Sequence, residues 1–187
     1  MGVQAQGRTT IFKINYRNTQ EILEFSAQFA KELLIPTEAG EDGVPRLGPI
    51  SSGRHVPKPL LIKLPTLKEE ARYIVEQFKA AHRDGTAWKD MAILYRNWNP
   101  VGQLINEAFS AAGIPITGHK NIEFGDKQDT VKPITFHSSK GLEFPLVAIP
   151  GASIPSGDER ATEEEARLLY VAMTRATKEL IVLESIA

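Results

Sequence analysis

The sequence predicts an α/β protein, a doubly wound and mainly parallel sheet with helices on both faces. Strand-like and helix-like stretches alternate along the 187 residues. Several strand stretches, such as "MAILY" and "PLVAI", are apolar at consecutive positions, as strands covered on both faces are. Helical stretches between them carry their own start signals, notably a Thr followed three residues later by Glu. A chain of this length suits one domain with its own core.

Taken in order, residues 1–9 read as an unanchored start and residues 10–187 as the domain. "TIFKI" reads as a short strand. "NTQEILEFSAQFAKELL" reads as a helix with Ile22, Phe25, Phe29 and Leu33 on one face and Asn18 with Glu21 as its cap. Residues 36–59 are rich in Pro, Gly and Ser and read as a loop. "LLIKL" is a strand, and the next helix is capped by Thr66 with Glu69 and stops near Gly85. "MAILYR" is a strand, Asn99-Pro100 opens the helix "VGQLINEAFSAAG", and "IPIT" reads as a short strand. Residues 118–130 are a polar linker between that point and the strands "VKPITFH" and "PLVAIP". Thr162 with Glu165 is expected to cap "TEEEARLLYVAMTRA", and "KELIVLES" closes the chain as a strand.

Composition narrows the function. The formal net charge is −1, so no global basic field exists and any nucleic-acid contact must be local. Cysteine is absent, which rules out disulfides and thiolate metal sites and fits a reducing, cytoplasmic setting. The four histidines, His55, His82, His119 and His137, form no ligand spacing, so no metal site is expected. No stretch is long and apolar enough to span a membrane. The phosphate-loop pattern G-x-x-x-x-G-K-[ST] does not occur.

Three stretches set polar groups beside strands: "NYRN" at 15–18, "SSKGLEF" at 138–144 and "LLYVAMTRAT" at 168–177. On position alone, Arg175 reads as an ordinary cation at a helix C-terminus and Arg17 as a surface ion-pair residue. Tyr16 reads as core or as a ring offered to a base. His137 and Lys140 read as solvated loop residues. Glu143, flanked by Leu142 and Phe144, reads as partly desolvated and in need of a donor. In open α/β sheets, ligands gather at the carboxyl ends of the strands, and the site is expected there.

The order of these stretches is more informative than any one of them. "NYRN", "AILYRNW", "AFSAAGIPI", "TFHSSKGLEFPLVAI" and "EEEARLLYVAMTRATKELIVL" together resemble the second RecA-like motor domain of UvrD/Rep-type superfamily 1 DNA helicases. The resemblance runs from Ile11 to Leu183, and its last two motifs are long and specific.

The resemblance implies an ATP site shared with a first motor domain. In it Tyr16 stacks on adenine, Arg17 reaches the γ-phosphate, Glu143 hydrogen-bonds the ribose and Arg175 is the arginine finger. It places Thr135, His137, Ser138 and Lys140 near single-stranded DNA, with movement 3′ to 5′. ATP is the implied cofactor, with Mg²⁺ held mainly by the first motor domain. Relatives insert an accessory domain where this chain has only the stretch 118–130. Two other readings stand beside the motor: a non-catalytic helicase-like module that binds nucleotide or DNA, and the motor part of a helicase–nuclease.

Overall fold

The computed structural model describes residues 14–15, 18–33, 50–51, 55–118, 128–152 and 159–186. The elements are β1 (Ile14–Asn15), α1 (Gln20–Leu33), β2 (Ile50–Ser51), β3 (Leu60–Leu64), α2 (Leu67–Arg83), β4 (Met91–Tyr95), α3 (Gln103–Ala111), β5 (Lys132–Thr135), β6 (Phe144–Ile149), α4 (Glu159–Met173) and β7 (Ala176–Ser185). Five strands form one sheet in the order β3-β7-β6-β4-β5. Every neighbouring pair in it is parallel.

The consecutive apolar residues of the strands divide between two cores, because alternate side chains point to opposite faces. Ala92, Leu94, Ile134, Val147, Ile149, Leu180 and Val182 face one layer, where Ile22 of α1 and Leu168, Leu169, Ala172 and Met173 of α4 cover them. Met91, Ile93, Tyr95, Leu146, Ala148, Ile181 and Leu183 face the other, where Ala71, Ile74, Val75 and Phe78 of α2 and Ile105 and Phe109 of α3 cover them. The doubly wound prediction therefore holds in detail. All five residues of β4 are buried, as a central strand requires.

Helix starts separate the sequence signals into one that holds and two that do not. Thr66 caps α2 as predicted: its hydroxyl accepts from the Glu69 N–H at 3.3 Å, and the Glu69 carboxylate reaches back to it at 3.2 Å. The expected cap of α1 by Asn18 is replaced by Thr19, whose Oγ1 faces the Ile22 N–H at 3.5 Å. Asn18 is drawn elsewhere by stronger tertiary acceptors. The expected cap at Thr162 fails because α4 already begins at Glu159. Glu165 instead forms an ion pair with Arg96 at the end of β4.

Smaller differences concern the irregular segments. Within the stretch read as loop, Ile50–Ser51 pairs in parallel with Ile14–Asn15. "IPIT" reduces to a single bridge from Ile116 to Val131. That bridge joins the two ends of the predicted linker, and Lys132 Nζ ties them further through the hydroxyls of Thr117 at 3.2 Å and Thr130 at 2.9 Å. An irregular turn at Trp98–Gly102, containing the cis Asn99-Pro100 bond, precedes α3.

Candidate functional site

The turn from α4 into β7 and the loop into β6 converge at one place. Arg175 directly precedes β7 and Glu143 directly precedes β6. Phe144 pairs with Ala176 in the sheet, and the Phe144 N–H donates to the Arg175 carbonyl at 2.9 Å. Both candidate residues thus stand at the amino edge of two adjacent central strands. Of the residues expected at the carboxyl ends, Thr135 ends β5, whereas Glu143 and Arg175 precede their strands.

The Arg175 guanidinium is half-buried and lies against its own domain. Nε donates to the Val171 carbonyl at 2.9 Å, Nη1 to the Leu142 carbonyl at 3.3 Å, and Nη2 to Thr174 Oγ1 at 3.3 Å. These three acceptors are neutral. An anion brought to this edge adds a full negative charge and can meet the planar fork in a bidentate way, so it can compete for the same donors.

Glu143 is exposed, contrary to the expectation of partial desolvation. Entering a strand, successive side chains alternate, and it is Phe144 that turns inward to the core.

The loop between β5 and β6 is compact. Thr135 Oγ1 accepts from the Ser138 N–H at 3.3 Å and donates to Ser138 Oγ at 3.0 Å. Ser139 is fully buried, its N–H on the Thr135 carbonyl at 3.0 Å and its hydroxyl on the Phe136 carbonyl at 2.7 Å. Gly141, at φ +85°, takes the left-handed conformation that other residues resist. With Ser139 folded inward, His137, Ser138 and Lys140 are left facing outward. One loop therefore runs from Thr135, at the carboxyl edge of β5, to Glu143, at the amino edge of β6. Tyr16 and Arg17 lie outside the described residues, directly before Asn18 in the chain.

Two groups escaped the sequence reading. Asn18 is buried, and its Nδ2 donates to the carbonyls of Thr174 and Ala176, both at 2.7 Å. Glu70 is fully buried and accepts from the Gly151 N–H at 2.7 Å and from the Ser185 hydroxyl. Desolvation pushes its carboxyl above the usual range, against the pull of those two donors. Both residues sit at helix starts, where Asn and Glu are ordinary capping and dipole residues. Only their distant partners, invisible in a linear pattern, give them another role.

Against this geometry, a family model described as the UvrD-like helicase C-terminal domain matches residues 10–132 and 118–185. The chain belongs to that family.

Among relatives, the ATP-dependent DNA helicase PcrA of Staphylococcus epidermidis (strain RP62A) is 42% identical over 71 residues, which is 33% of this chain and 10% of the relative. PcrA of Staphylococcus aureus (strain Mu50) is 39% identical over 71 residues, with the same 33% and 10% shares. These matches span about a tenth of the length of the curated relatives. The crystal structure of the C-terminal domain of a possible DNA helicase from Lactobacillus plantarum WCFS1 aligns with a TM-score of 0.62 at 22% identity. That alignment covers 91% of this chain and 88% of the other, and it shows the shared fold. Among the described residues, no helix is long and apolar enough to cross a membrane.

Proposed function

We propose that this UvrD-like helicase C-terminal domain is the second motor half of an ATP-dependent DNA translocase. In this reading it completes an ATP site whose phosphate loop and Mg²⁺ ligands belong to a first motor domain. Tyr16 stacks on the adenine, Glu143 holds the ribose, and Arg17 and Arg175 meet the γ-phosphate. Thr135, His137, Ser138 and Lys140 contact single-stranded DNA, and movement is 3′ to 5′. The relatives named as ATP-dependent DNA helicases support the substrates. The cysteine-free composition fits cytoplasmic work.

The observation that carries the reading is the junction of Phe144 with Arg175. It joins the strand start next to Glu143 to the residue whose guanidinium donates to Val171, Leu142 and Thr174. A carboxylate beside a redeployable guanidinium fits a nucleotide, which offers hydroxyls and anionic oxygens together. During phosphoryl transfer, charge spreads over the phosphoryl oxygens, and a guanidinium fork stabilises it. Because the cation belongs to a different domain from the phosphate loop, hydrolysis depends on the two domains closing. The 136–143 loop supplies the second half of the coupling. Its outward residues meet the strand while its far end carries Glu143, and the bonds of Thr135 and Ser139, continued by the Leu142 N–H on the Ser139 carbonyl at 3.1 Å, let displacement of one end pass to the other.

The test is ATP hydrolysis, with and without single-stranded DNA, by this chain joined to its phosphate-loop domain. Arg175→Ala is expected to lower the DNA-stimulated rate by about 10³–10⁵-fold, with nucleotide binding largely kept. DNA-stimulated hydrolysis that survives the substitution would remove Arg175 from the reaction. An upstream region with no phosphate loop would favour the non-catalytic binding module instead.

A further inference from the structure

We infer that Asn18 is a positioning residue for Arg175, fixing the backbone so that the side chain alone has to move. The inference rests on the proposed meeting of Arg175 with the γ-phosphate. It adds a residue that the motif reading treated only as a helix cap.

Asn18 is 3% exposed, and its Nδ2 donates two hydrogen bonds of 2.7 Å, one to the Thr174 carbonyl and one to the Ala176 carbonyl. The carbonyl between them, that of Arg175 itself, accepts from the Phe144 N–H at 2.9 Å. Three consecutive carbonyls are therefore held from outside the turn. The peptide planes on either side of the Arg175 Cα are fixed, and with them the direction of its Cα–Cβ bond. No donor of the Arg175 side chain is spent in this clamp. The guanidinium keeps its own contacts to Val171, Leu142 and Thr174 and can exchange them.

The chemistry suits this residue type. A carboxamide NH₂ carries two donors on one atom, which two convergent carbonyls can share. A hydroxyl has one donor. An aspartate would present an oxygen to both carbonyls and repel them. The clamp also joins distant parts of the sequence: Asn18 follows Tyr16 and Arg17 directly, and 156 residues separate it from Thr174. One buried amide thereby binds the residue that leads into α1 to the turn bearing Arg175.

A purely structural role makes a different prediction, since the same bonds also satisfy carbonyls at the end of α4. Kinetics separates the two. The experiment uses the full-length protein that carries this chain together with its phosphate-loop domain. It compares Asn18→Ala, Asn18→Ser, Arg175→Ala and the Asn18→Ala/Arg175→Ala pair. Asn18→Ala is expected to lower kcat about 100-fold, the scale of a catalytic group displaced by about 1 Å, with KM for ATP nearly unchanged. Asn18→Ser, keeping one donor, is expected to recover part of the loss. The double variant is expected to be no slower than Arg175→Ala alone, because the clamp acts only through that side chain. Thermal unfolding of each variant accompanies the kinetics, and if Asn18→Ala fails to fold, Asn18→Ser carries the comparison. The inference is overturned if Arg175→Ala collapses hydrolysis while the folded Asn18 variants match the unsubstituted protein. It is equally overturned if the Asn18 loss adds in full to that of Arg175→Ala. Undiminished hydrolysis by Arg175→Ala, or none by the unsubstituted protein, overturns the reading of Arg175 itself.

Discussion

At the scale of single residues, Glu70 shows how a buried carboxyl group ties the sheet to a helix and what that costs. Its carboxyl group joins α2 to the Gly151 backbone after β6 and to Ser185 at the end of β7. Desolvation raises its pKa, and Glu184 nearby raises it further, while Ser185 and Gly151 pull it down. A raised folded-state pKa means that the native protein holds this proton more tightly than the unfolded chain. The resulting stabilisation is complete below the ordinary glutamate pKa and is lost as pH rises through the folded-state value. Glu70→Gln keeps an acceptor for the Gly151 N–H and a donor for the Ser185 oxygen, and it removes the titration. Urea unfolding at a series of pH values should therefore show the substituted chain gaining on the original as pH rises from acid to neutral. Parallel profiles would refute the assignment. Glu70→Ala should cost about 1–3 kcal/mol at acid pH, since it leaves a buried N–H without its acceptor, and less as pH rises.

At the scale of elements, the strands were the most legible part of the chain. Unbroken apolar runs in β4 and β6 announced strands buried on both faces, and the two cores follow from their alternation. Helix starts were legible only where local chemistry decides. Thr66 and Glu69 satisfy each other within one turn, whereas Asn18 had distant partners that outcompeted a cap and Thr162 lies inside a helix that starts at Glu159. Close packing between elements was not legible at all. Gly102, leading into α3, has an ordinary helical φ of −61°, so nothing in its backbone demands glycine. Its surroundings do: an added Cβ would lie 2.7 Å from Trp98 Cε3 and 2.9 Å from Tyr95 Cζ. Tyr95 is 1% exposed and cannot swing away. Gly102→Ala should therefore destabilise the domain by about 1–3 kcal/mol, the range for overpacking a filled core, as a lowered urea midpoint with an unchanged slope. An unchanged midpoint would mean that the two rings yield more easily than their burial suggests.

For the whole molecule, the motifs named the residues but not their arrangement. Linear order could not reveal that Glu143, Arg175 and Asn18 gather around the amino edge of β6 and β7, because strand order β3-β7-β6-β4-β5 differs from chain order. Nor could it reveal that the outward loop residues and Glu143 occupy opposite ends of one crossover. This arrangement sets the last prediction. The amino edge brings a cation and a carboxylate to neighbouring strand starts, but the sequence has no G-x-x-x-x-G-K-[ST] to wrap the β- and γ-phosphates. An arginine stabilises charge that other groups have already positioned, so by itself it has little to act on. The 187-residue chain alone should therefore turn over no ATP above the buffer rate, with or without single-stranded DNA. Joining it to a phosphate-loop domain in one polypeptide should bring turnover that depends on Arg175. Measured on the same preparation, turnover by the isolated chain that Arg175→Ala abolishes would place a complete phosphate site within these residues and refute the two-domain arrangement.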